Sequence, residues 1–215
     1  MRGASARLLL LLIVAAATFH RADASEGWEI IYIEYRFVAP TIEPGSFEAS
    51  TRKVWRSGDR YLRIEEAPDP KQGIHGVMIV NEPDSWLWNR LNNVARHIVD
   101  PGPTFIVRFP IFLAESSKKL QGLELGRERD FFSAHGATVI PDQILDGVEC
   151  TVQSLQVDDS TLVLYLRKSD GSPFQLSINN PRNSHAVRFE RYEVRSQFEP
   201  SLFAAPEGAR IIEAK

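Results

Sequence analysis

The chain has 215 residues, of which 43% are apolar and 25% charged, with a formal net charge of −3. That balance leaves no basic face of the kind nucleic acid requires, and it offers little pull toward an anionic membrane surface. Cys150 is the lone cysteine, so no disulfide can form within the chain and stability has to come from packing.

The first predicted element is an export signal. Arg2 and Arg7 precede an unbroken apolar run from Leu8 to Ala17, and the small-residue triplet Ala22-Asp23-Ala24 stands just before Ser25. The expected cut follows Ala24. A run of about ten residues spans roughly half of a ~30 Å hydrocarbon core, too little for a membrane anchor. No cysteine stands at the cut to accept a lipoprotein acyl anchor. The expected product is periplasmic or secreted and does not span the membrane. Taking 24 residues from 215 leaves 191, a size suited to one domain, 25–215, with 22 basic against 27 acidic side chains.

Period-two patterning dominates the rest of the chain. Trp28 to Val38 reads as a long first strand, bounded by Pro40 and Pro44-Gly45. Phe47 to Trp55 and Tyr61 to Glu65 read as a hairpin joined at Ser57-Gly58-Asp59. Gly76 to Asn81, Ser85 to Asn89, Val94 to Val99 and Thr104 to Phe109 are short strands bounded by Asn, Asp, Gly or Pro, with a turn at Arg90-Leu91-Asn92-Asn93. Pro110 suits a first helical turn, and the stretch to Leu120 reads as a short helix or a mobile loop. Gly126 to His135 is predicted helical: Glu128, Arg129 and Asp130 face water, Phe131 and Phe132 supply the hydrophobic contact, and Gly136 closes it. Gly147 to Val157, Thr161 to Lys168, Phe174 to Asn179 and His185 to Phe198 return to strand through the turns Asp158-Asp159-Ser160 and Ser169-Asp170-Gly171-Ser172.

Short sequential strands with tight turns define a mainly β (α+β), largely antiparallel fold. Several strands are apolar on both sides. Trp28, Ile30 and Tyr32 alternate with Ile31, Ile33 and Tyr35, and Leu162, Leu164 and Leu166 alternate with Val163 and Tyr165. A solvated antiparallel sheet buries one face, so the second surface must be covered by helices or by a ligand.

No catalytic constellation stands out. His75, His97, His135 and His185 lack metal-ligand spacing, and neither a nucleophile elbow nor a phosphate loop is present, so no metal and no cofactor are expected. Glu65-Glu66, Asp158-Asp159, Glu124 and Glu128 read as solvated turns and strand ends. Cys150, on one face with Val148 and Val152, reads as a small buried hydrophobe in preference to a reactive thiol. Trp86 and Trp88 share one strand face and read as packed inside, not as a sugar platform. An enzyme is the third-ranked reading, with His185 and Cys150 as the residues to test.

Two segments resemble the LolA/LolB lipoprotein-localisation superfamily and its outer membrane lipoprotein-sorting relatives. One is Phe198-Glu199-Pro200-Ser201-Leu202-Phe203-Ala204-Ala205-Pro206-Glu207-Gly208-Ala209, similar to the Phe-x-x-Pro-x-Gly close of such chains; the other is Ile144 to Cys150, similar to the start of a central strand in that group. The resemblance implies an incomplete β-barrel, a strongly curved antiparallel sheet wrapped around one or two short helices, whose concave apolar face takes acyl chains. The chain departs from the carriers in having no amphipathic helix before its first strand, and no position can be given their cavity-gating arginine; Arg36, Arg52 and Arg63 are strand arginines.

The function this implies is a non-enzymatic exported carrier or binding protein for a lipid or a lipoprotein acyl chain. The cavity lining would be Trp28, Ile30, Tyr32, Trp55, Trp86, Trp88, Phe105, Val107, Leu162, Leu164 and Phe174, with Phe112, Phe131 and Phe132 as a lid. The same residues serve equally well as ordinary core. The alternative is an envelope protein-interaction or sensing module that uses the same curved sheet without a bound lipid.

Overall fold

The computed structural model describes residues 29–99, 120, 122–181 and 184–214. The export-type segment, Trp28, the strand expected at Thr104 to Phe109 and the helix or loop expected after Pro110 lie outside the described residues.

The described residues form one 12-stranded sheet: β1 (Ile30–Val38), β2 (Arg52–Ser57), β3 (Tyr61–Glu65), β4 (Gly76–Asn81), β5 (Asp84–Asn89), β6 (Val94–Val99), β7 (Thr138–Leu145), β8 (Val148–Val157), β9 (Ser160–Arg167), β10 (Pro173–Asn179), β11 (Ser184–Arg195) and β12 (Arg210–Glu213). Their order is β12-β6-β5-β4-β3-β2-β1-β11-β10-β9-β8-β7. Two antiparallel meanders, β1 to β6 and β7 to β11, therefore meet where β1 pairs with β11, while β12 adds in parallel to β6. The edges β12 and β7 do not pair with each other, so the sheet is open.

The hairpin turns follow from local chemistry. Asp146 and Gly147 join β7 to β8 with φ of 49° and 80°, the left-handed pair that a two-residue turn matched to strand twist requires.

Curvature follows from the core. Helix α1 (Glu128–Ala134) has 7 residues and is about 10 Å long at 1.5 Å per residue. Its Phe131 and Phe132 belong to one cluster that includes Val80 of β4 and Leu155 and Val157 of β8. The sheet from β4 to β8, laid flat at about 4.8 Å per strand, would extend some 34 Å. Only by curling around α1 can both flanks reach the same two phenylalanines, which is the incomplete barrel the resemblance implies.

Four local readings change. Phe47 to Ser50 is not strand: Ser46 Oγ accepts from the Ala49 N–H at 3.3 Å and the Ser50 N–H bonds the Phe47 carbonyl at 3.1 Å, a turn that competes with the ladder and delays β2 to Arg52. Strand β7 is disguised in the sequence by Pro141, which is tolerated because β7 is an edge strand and its pairing with β8 is irregular between Ile140 and Gln143. β12 escapes a pattern search because four residues show too little periodicity. Glu124 and Glu128 do not face water; both are buried, Glu124 against Arg56.

Candidate functional site

The two faces of the sheet are built from alternate residues, and register tells them apart. On the face that meets α1, the row Ile33, Val54, Ile64, Met78, Leu87, Arg96 and Ile212 crosses from β1 to β12. On the opposite face, the row Glu193, Tyr32, Trp55, Arg63, Ile79, Trp86, His97 and Glu213 crosses from β11 to β12.

The inner row is closed at one end and open at the other. Ile33 and Val54 are fully buried under α1, but Leu87 is 46% exposed and Ile212 45%. Between these limits lies a recess of about 350 Å³ whose inner-face lining is Ile64, Met78 and Leu87, with Glu66 and Asn89 at its rim; Val77 and Trp88, whose side chains belong to the outer face by register, border it. Gly76 shapes the rim: a Cβ there would stand 2.7 Å from the Glu66 carboxylate. Chemically the recess offers apolar burial with a carboxylate and an amide at its border, the composition of a site for a hydrocarbon with a polar end.

The lining and lid residues singled out from the sequence divide between the faces. Leu162, Leu164, Phe131 and Phe132 are in the inner core. Ile30, Tyr32, Trp55, Trp86 and Trp88 lie on the outer face. So does Phe174, which a bulge between Pro173 and Gln175 sets against Cys150 and Val152. Trp28, Phe105, Val107 and Phe112 lie outside the described residues. Sequence reasoning passes over Ile64, Met78 and Leu87, although the two-sided apolarity of β4 and β5 is visible there.

Over β3 and β4 the outer face is covered by a segment that includes a short 3-10 helix, Pro200–Phe203. The segment Phe198 to Gly208, which carries the family resemblance, runs over β3 and β4 as a strap. Phe198 and Phe203 pack on Tyr61 with ring centroids 4.9 and 5.4 Å away, and Arg63 Nη1 donates to the Leu202 carbonyl at 3.3 Å. Phe203 is fully buried.

At the α1 end of the sheet, the buried polar groups form a second constellation. Arg56 donates from Nη1 to the Leu125 carbonyl at 3.0 Å and from Nε to the Gly58 carbonyl at 3.1 Å, and its Nη2 stands 2.7 Å from Glu124 Oε2. Asp59 bridges Arg56 and Arg127. Beside them, Glu128 Oε1 accepts from the Gly126 N–H at 2.8 Å and Oε2 accepts from the Tyr192 hydroxyl at 3.4 Å. Burial raises the Glu128 pKa to about 7, and burial also raises that of Tyr192. A mixed-charge cleft of about 640 Å³ lies alongside, lined by Glu29, Arg56, Arg127 and Asp130 among others. Because the guanidinium charges are already answered by Glu124 and Asp59, the constellation ties α1 to β2 and leaves little field for an ionic ligand.

The enzymatic pair does not assemble. Register places His185 opposite Ile178, Leu162 and then Leu155 on β8, three strands from the strand carrying Cys150 and five residues along it. That is about 14 Å across and 17 Å along, far beyond hydrogen-bond reach. Cys150 is fully buried, and burial pushes its thiol pKa up, away from nucleophilic thiolate. Among the described residues no group of three or more His, Cys, Asp or Glu is placed to hold a metal ion. No helix among them is long and apolar enough to cross a membrane.

No family model and no curated protein matches the chain. Solved structures do. An uncharacterised conserved protein from Thermus thermophilus is 9% identical with a TM-score of 0.48, over 86% of this chain and 90% of that one. A LolA-superfamily protein from Nitrosomonas europaea is 9% identical with a TM-score of 0.34, over 85% and 91%. The Pseudomonas aeruginosa MucA/MucB complex matches at 12% identity and a TM-score of 0.43, over 82% of this chain but only 56% of the matched one.

Proposed function

We propose that the protein is an exported, non-enzymatic carrier or binding protein for a lipid or the acyl part of a lipoprotein in the cell envelope, and that residues 25–215 act as one domain in doing so. The observation that carries this reading is the inner recess at Ile64, Met78 and Leu87, an apolar hollow whose lining includes a side chain as exposed as Leu87. Each methylene buried there contributes about 0.8 kcal/mol, so a hydrocarbon tail binds by area and with little chemical selectivity. Leu162, Leu164, Phe131 and Phe132 form the floor against which the sheet keeps its curl; Trp28, Phe105, Val107 and Phe112 are proposed as further lining.

The test is lipid analysis and native mass spectrometry of the purified chain. The wild type carries lipid, and Leu87→Glu, which places a carboxylate in the recess at an already exposed position, loses most of it. A lipid-free wild type, or a variant that keeps the same load, overturns the carrier reading.

A protein-interaction or sensing module is the second reading. It is favoured by edge strand β7, where Val139 and Ile144 are 68% and 72% exposed beside a backbone edge that no other strand among the described residues pairs with. A lipid-free chain that retains a protein partner supports it.

A further inference from the structure

We propose that His97 is a proton-operated latch: protonated, it clamps strand β12 to the edge of the sheet, and on losing its proton it lets that strand go. The His97 ring lies between two carboxylates. Nε2 is 2.8 Å from Asp84 Oδ1 on β5, and Nδ1 is 2.8 Å from Glu213 Oε2 on β12. Its third partner is Trp86, stacked at 5.2 Å with the planes 13° apart, which fixes the ring in the plane that reaches both acids.

An imidazolium has two N–H groups and can donate to both carboxylates at once. A neutral imidazole has one, so deprotonation leaves a lone pair facing a carboxylate oxygen at hydrogen-bond distance, and one contact must break. Which one breaks is set by anchoring. Asp84 belongs to β5, held between β4 and β6, whereas Glu213 is 71% exposed at its side chain and sits on a strand of 4 residues, all of them exposed.

Among the described residues, β12 is held chiefly by its backbone ladder. It pairs in parallel with β6, the Arg210 N–H donates to the Asn93 carbonyl and the Ala214 N–H to the His97 carbonyl, each at 2.9 Å, and Asn93 Nδ2 reaches the Gly208 carbonyl. With so few contacts and so little apolar burial, one charge-assisted bond decides whether the strand is docked. The charges that act on the ring are those of Asp84 on β5 and Glu213 on β12. Its same-face neighbours, Ala95 and Val99 along β6, Trp86 on β5 and Ile211 on β12, are uncharged. The bond to Asp84, with that to Glu213 behind it, raises the His97 pKa above its ordinary value. The clamp is therefore fully closed below the ordinary histidine range and opens as pH climbs through the raised pKa. Opening uncovers the edge of β6, an unpaired ladder of the kind that accepts an added strand.

Hydrogen exchange of the full chain reads the latch directly. Amide protection at Arg210 and Ala214, corrected for intrinsic exchange and referred to the β4–β5 amides, falls about tenfold between pH ~6 and ~9, the equivalent of one charge-assisted hydrogen bond. In His97→Gln the protection is independent of pH. Glu213→Gln changes an exposed side chain and cannot harm the core, so it provides the same flattening should the histidine variant misfold. Equal wild-type protection at both pH values, or a pH dependence that survives in Glu213→Gln, overturns the latch.

Discussion

Glu128 is a carboxylate with no route to water, and its effect on stability reverses the usual acidic pattern. Because its native pKa is raised from 4.5 to about 7, the folded chain holds this proton more tightly than the unfolded one across that interval. The stabilisation is complete below the unfolded value and is lost as pH rises toward 7, on the order of 3 kcal/mol for a shift of this size. Thermal melts should show wild-type stability declining between those pH values relative to Glu128→Gln, whose amide still accepts from Gly126. Parallel curves would show that the carboxyl is solvated after all. Arg56 is the complementary case. Its guanidinium is 2% exposed and satisfies Glu124, Asp59 and two carbonyls, so Arg56→Ala leaves a buried acid unanswered and costs about 3–5 kcal/mol, measurable by urea denaturation. Neither residue is distinguishable in sequence from a surface charge. A Glu in the first turn of a short helix reads as water-facing, and only the sheet that folds over it removes the water.

At the level of elements, the strap and the edge strand matter most. Phe203 fills the outer face between β3 and β4, so Phe203→Ala removes a fully buried ring and costs about 3–5 kcal/mol, read as a lowered urea midpoint. Pro141 lies in the irregular stretch of edge strand β7 between Ile140 and Gln143 and carries no backbone N–H, and a proline on an edge is a device that keeps exposed edges from pairing with other chains. Pro141→Thr should therefore leave the fold intact and produce concentration-dependent association in analytical ultracentrifugation; a variant that stays monomeric at high concentration removes that role. The inner strands and their hairpins are legible in the sequence because apolar alternation and turn residues are local signals. The Ser46 turn is not, because a serine hydroxyl competing for a backbone N–H leaves the alternation pattern unchanged. The two-sided apolarity of β4 and β5 is legible too, but alternation does not say which face a strap will cover and which will stay open as the recess.

One core, running from β4 to β8 through α1, unifies the fold. Such a cluster ties the two meanders together, so far-UV circular dichroism and tryptophan fluorescence should report one coincident unfolding transition. Two separated transitions would mean that the meanders are independent units. Periodicity and turn chemistry, which act within a few residues, are enough to specify the strand-rich class, the antiparallel meanders, the position of the helix and the need to cover a second apolar surface. The pairing of β1 with β11, the burial of Glu128 and Arg56, the strap on one face and the open recess on the other emerge only in three dimensions. Those depend on which distant segments share water-excluded space, and a one-dimensional pattern carries hydrophobicity but not the identity of the neighbour that buries it.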